Sequence, residues 1–127
     1  MDIVDSIYNN IFLKKIFSYG ITGELYIGHL GLNPNADFSL NLHIKQQPEI
    51  EVHKWGKWGE NYDTIVISLL GTQIDDLEIT GWKQVSFAQV QHSNVGKRYV
   101  LQSAGDGWKV CFTYKTLTFQ QCRTYLS

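Results

Sequence analysis

The stretch "LTFQQCRTYL", Leu117 to Leu126, decides how the chain is built, because it reads as a helix or a strand according to which signal is weighted. Thr118-Phe119-Gln120-Gln121 matches a capping box, in which the hydroxyl and the amide three residues on satisfy each other's backbone donors. Leu117 and Cys122 stand where a hydrophobic staple would place them. Phe119, Cys122 and Tyr125 recur every three residues and can share one helical face. These signals predict a short helix from about Phe119 to Leu126.

Working outward, the other end of the chain also reads as helix. From Asp2 to Ser18 the apolar residues fall at Ile3, Ile7 and Ile11, flanked by Val4, Tyr8 and Phe12, with Ile16 and Phe17 beyond. That is an amphipathic stripe whose apolar face packs on a core. Asp2 and Asp5 in the first turn and Lys14 and Lys15 in the last complement the helix dipole, and Gly20 suits the stop.

Between the two ends the period changes to 2. Phe38, Leu40, Leu42 and Ile44 alternate with Ser39, Asn41, His43 and Lys45, the pattern of a strand with one wet face. Before it, "GELYIGHLGLNP" reads as a strand closed by Asn33-Pro34-Asn35, so the two form a hairpin. Ile65, Ile67 and Leu69 lie in a run that is apolar on both faces, as in a central covered strand. Leu77 and Ile79 alternate with Asp76, Glu78 and Thr80. Val85 to Gln91, Lys97 to Gln102 and Trp108 to Tyr114 complete the strands, with turns at Asn94-Val95-Gly96 and Gly105-Asp106-Gly107. The expected architecture is α+β: an N-terminal amphipathic helix, an antiparallel β-sheet of about six to seven strands and a short C-terminal helix, in one domain over residues 1–127.

The chain has 127 residues, 43% of them hydrophobic and 13% aromatic, which suffices for a core without a staple. Cys111 and Cys122 form no metal-ligand spacing and no disulfide framework, which favours a reducing compartment. Acidic Asp2 and Asp5 replace the positive charge of a secretory signal, and no apolar run approaches the roughly 18 residues of a membrane span. The expected location is the cytoplasm. A formal charge of −1 supplies no overall attraction for nucleic acid or anionic lipid.

No nucleotide-binding glycine motif, P-loop, zinc-protease motif or nucleophile elbow is present. His29, His43, His53 and His92 are scattered, and a strand histidine on a polar face is more often solvated or satisfied than catalytic. Neither cysteine has a sequence neighbour that would lower its pKa. No catalytic residue, metal ligand or cofactor site is assigned. Asp75, Asp76 and Glu78 crowd "IDDLEIT" and point as a patch rather than converge as an acid and base, so they read as solvated strand surface or as an acidic footprint for a basic partner. Glu49 and Glu51 join that footprint if the fold brings them near. The repeat Lys54-Trp55-Gly56, Lys57-Trp58-Gly59 is flanked by Glu49, Glu51, Glu60 and Asp63, which repel phosphates. It reads as a turn whose indoles cover apolar surface, with an exposed Trp55 or Trp58 available to anchor a protein. Trp82 and Trp108 are expected to be buried.

The order "KWGENYDTIVISLL", then Leu77-x-Ile79-x-Gly81-Trp82, two further strands and "CFTYKTLTFQQCRTYL" resembles the immunity protein 50 family, over roughly Leu25 to Tyr125. The members are small cytoplasmic bacterial proteins that accompany polymorphic and contact-dependent growth inhibition toxins. The resemblance implies a non-enzymatic protein that binds a cognate toxin C-terminal domain one-to-one and neutralises it. The toxin is often a nuclease such as an RNase. It carries no site residue across, so the partner-binding candidates remain Asp75, Asp76, Glu78, Trp55, Trp58, Glu49 and Glu51, with no direct nucleic acid and no membrane. The alternative is a ligand-binding β domain, for carbohydrate for example, with Trp55, Trp58 or Trp82 as a stacking platform.

Overall fold

The computed structural model describes residues 2–127 and corrects the α+β expectation. The protein is mostly β, with nine strands among the described residues, arranged in sheets of five and four, and only short helices. The C-terminal segment is a strand, β9 (Thr116–Tyr125), hydrogen-bonded antiparallel to β4 (Thr64–Thr72) from Leu117↔Gly71 to Tyr125↔Thr64. A bulge explains the misleading period. Phe119 opposes Leu69 and Cys122 opposes Ile67, so Gln120 is the extra residue that brings two residues three apart onto the core face.

The N-terminal segment is not one helix either. A single turn, α1 (Ile3–Ser6), is followed by β1 (Ile7–Tyr8) and α2 (Ile11–Ile16). Asn9 adopts the left-handed region at φ 62°, which asparagine tolerates better than most side chains, and the Asn10 amide donates to the Val4 carbonyl at 2.8 Å. That break lets Ile7 and Tyr8 pair in parallel with Leu117 and Thr118. Ile3, Val4, Ile7, Leu13, Ile16 and Phe17 still reach the core, while Ile11 is turned out.

The first sheet runs β1-β9-β4-β3-β2, with β2 at Leu25–Leu32 and β3 at Phe38–Ile44. These form the expected hairpin, and β4 lies at the centre with Thr64 to Ile67 buried on both faces. The second sheet runs β5 (Asp75–Thr80), β8 (Trp108–Tyr114), β7 (Arg98–Gly105), β6 (Val90–Val95). The two sheets share a corner. Thr72 opposes Thr116 in the first and Asp75 opposes Thr113 in the second, so β4 passes into β5 and β8 into β9 at the same bend, where Gln73 has φ 51°.

One apolar core fills the space between the sheets. Phe38 of β3 meets Phe112 of β8 edge-on, with ring centroids 5.7 Å apart. Gly71 is required beneath it: a Cβ there would come within 2.1 Å of the Phe38 ring. Trp108 is buried as expected, at 5% exposure. Trp82 is not, at 41%, because it sits in a short 3-10 turn beyond the end of the edge strand β5.

Candidate functional site

The repeated Lys-Trp-Gly lies in the connection from β3 to β4, and its two tryptophans have different roles. Trp55 closes a 3-10 turn (His53–Trp55) and is 9% exposed, packed edge-on against Phe12 and Tyr62 at 5.8 Å each. It is a lid on the core, not an exposed anchor. Gly56 takes φ 82°, and the Asn61 side chain, which accepts from Lys57 N at 2.8 Å, occupies the space a Cβ would need. Trp58 is half-buried and stands perpendicular to the Tyr62 ring at 5.3 Å.

Trp58 and Tyr62 line a cavity of about 370 Å³, together with Glu49, Ile50, Glu51 and Lys57. The segment carrying the two glutamates is tied down: Pro48 is buried and Glu49 N donates to the Ile16 carbonyl at 2.9 Å. The Glu49 carboxylate accepts from the Ser18 hydroxyl and from Tyr19 N, and the Ser18 bond chiefly holds its pKa below the ordinary value. Burial raises the Tyr62 phenol, and the nearby Glu51 charge raises it further. The result is a concave site of mixed lining, in which Trp58, Tyr62 and an exposed Ile50 stand beside Glu49, Glu51 and Lys57.

Asp75, Asp76 and Glu78 belong elsewhere. They sit on β5, beyond the opposite end of β4 from the Trp58 loop, and nine residues of strand span roughly 26 Å. Glu49 and Glu51 therefore do not join their footprint. Each of the three also has a local partner. Glu78 bridges Lys109 at 3.3 Å, Asp76 accepts from the Thr113 hydroxyl at 3.2 Å, and Asp75 caps Asp76 N at 2.8 Å. Leu77 and Ile79, the apolar residues of that alternation, remain 38% and 39% exposed, because β5 is an edge and among the described residues no strand pairs with its other side.

A third cluster escaped sequence reading. On the outer face of the first sheet, His43 Nδ1 lies 2.8 Å from the Tyr125 hydroxyl, with Tyr26 packed edge-on against the imidazole at 5.0 Å. The sequence pattern puts Tyr125 on a helix, and no local signal connects it to His43. Partial burial lowers the His43 pKa, and the Arg123 charge lowers it further. The unfolded chain then takes up the proton more readily than the folded one, so the stabilising contribution is complete above about pH 6.5 and is lost as pH falls through the depressed value. Wild type should therefore lose more unfolding free energy between pH 7.5 and pH 5 than His43→Gln does; equal losses in urea titrations would contradict this. The remaining three histidines are separate, His29 against Ser39, His92 against Tyr114, and His53 exposed in the 3-10 turn before Trp55.

Among the described residues no group of His, Cys, Asp and Glu is arranged to hold a metal ion, and no helix is long and apolar enough to cross a membrane. Burial pushes the Cys122 thiol up to about 12, which leaves it protonated and unreactive. No family model, curated protein or solved structure matches the chain.

Proposed function

We propose that the chain is a cytoplasmic immunity protein that binds a cognate toxin C-terminal domain one-to-one and blocks its active site or substrate surface. The observation that carries this reading is the cavity between Glu49, Glu51 and Trp58. Three residues singled out as partner contacts come together from two segments around one concavity, with the exposed Ile50 beside them. Trp58, Tyr62 and Ile50 set beside two glutamates suit the protruding basic side chains of a nuclease, where a desolvated aromatic anchor slows dissociation and the charge speeds association. Protection of a producing cell requires very little free toxin, so the affinity is nanomolar or tighter, about −12 kcal/mol or beyond. The carbohydrate alternative, with Trp55, Trp58 or Trp82 as the stacking platform, loses Trp55, which is withdrawn into the core, and keeps Trp58 and Trp82.

The test is capture of the toxin domain encoded beside this chain, followed by growth of cells expressing both. Rescue with a stable one-to-one complex is expected. Undiminished killing in the presence of folded protein would overturn the reading.

A further inference from the structure

The edge strand β5 carries an independent feature. It lies at the end of the order β5-β8-β7-β6, so one side of its backbone has no neighbour among the described residues, and all six of its residues are exposed. Such an edge is a template for another strand. Its two faces differ in chemistry. Ile79 opposes the fully buried Val110, so it and Leu77 line the open side of the core. Leu32, Ala36 and Ile74 join Leu77 and Asp75 around a cavity of about 290 Å³ there. On the outer face Glu78 opposes Cys111, and Asp76 reaches the Thr113 hydroxyl at 3.2 Å.

We propose that β5 is a docking edge, on which an extended segment of a basic partner, alternating apolar residues with Lys or Arg, adds as a further strand of the second sheet. Strand addition supplies main-chain hydrogen bonds, while the alternation of side chains supplies specificity. The apolar residues of the added strand cover Leu77 and Ile79. Its cations lie beside Asp75, Asp76 and Glu78. Two cations already stand near, Lys109 on Glu78 and Arg98, whose guanidinium is engaged by the Gln73 carbonyl and the Thr113 hydroxyl rather than by a carboxylate. The bulge between Asp75 and Glu78 interrupts the ladder with β8, leaving Glu78, Ile79 and Thr80 as the regular run on which pairing begins. A second copy is a poor occupant, since it would bring the three carboxylates of each β5 onto one ladder, where like charges oppose pairing. The proposal concerns this edge alone and stands or falls apart from the cavity at the other end of β4.

The experiment is amide hydrogen exchange on the full chain with a synthetic peptide of alternating lysine and valine. At saturation the amides of Leu77 to Thr80 should exchange at least about ten-fold more slowly, with the cavity around Trp58 unaffected. Asp75→Lys combined with Glu78→Lys should weaken the peptide about ten-fold while leaving the melting temperature nearly unchanged. Unchanged exchange at millimolar peptide would overturn the proposal, as would equal protection by a glutamate-valine peptide. A dimer in ultracentrifugation that Ile79→Lys abolishes would overturn it by making a second copy the occupant.

Discussion

Trp58→Ala combined with Glu51→Lys should raise the dissociation constant for the toxin domain by roughly 30-fold or more, equivalent to about 2 kcal/mol or beyond. Both residues line the cavity: Trp58 is half-buried against Tyr62 at the margin of the core, and Glu51 is exposed. The effect is expected to divide between the rates. Truncating the indole removes an aromatic anchor and speeds dissociation, whereas reversing Glu51 slows association with a basic partner and does so most at low salt. Trp55→Ala is the wrong probe, because that indole seals the core against Phe12 and Tyr62 and its removal would weaken the fold itself. Wild-type affinity in the double variant, with circular dichroism unchanged, would remove the cavity from the interface.

Trp108→Ala should lower the unfolding free energy by about 3–5 kcal/mol through lost burial and an unfilled cavity. Trp108 starts the inward row Trp108, Val110, Phe112 and Tyr114 of β8, all buried, and the indole lies over Gly105, where an added Cβ would come within 2.3 Å of its Nε1. Trp82→Ala should cost less, about 1–2 kcal/mol, because part of that indole is already in water. Urea midpoints of the two variants compare them directly. Equal losses would mean that the turn after β5 is packed as tightly as β8.

The parts of this fold that were legible are the strands whose two faces meet different solvents. β3 and β8 alternate because one face is committed to the core, and the central position of β4 follows from burial on both faces. The terminal segments were misread for local reasons. In β9 a bulge at Gln120 imitates helical spacing, and the ladder with β4 outweighs a capping box that has no long-range partner. In the N-terminal segment the apolar stripe runs across a break: Ile7 is already extended after one turn, and the left-handed Asn9 separates β1 from α2. The direction of Leu77 and Ile79 was readable, but their exposure was not, since an edge position is a property of the sheet.

The candidate site divides in the same way. Glu49, Glu51 and Trp58 stand out as residue types, yet their placement rests on contacts outside that pattern, Glu49 N bonded to the Ile16 carbonyl and Trp58 packed on Tyr62. Asp75, Asp76 and Glu78 stood out as charge, and only the ladder reveals Lys109 and Thr113 as their partners. His43 and Tyr125, 82 positions apart, could be joined by no local pattern.

The most direct measurement of the central claim is hydrogen-deuterium exchange of the full chain, free and with one equivalent of the toxin domain. Protection gained across residues 47–51 and 56–62, around Glu49, Glu51 and Trp58, is the predicted result. A complex that forms with exchange in those segments unchanged would contradict it.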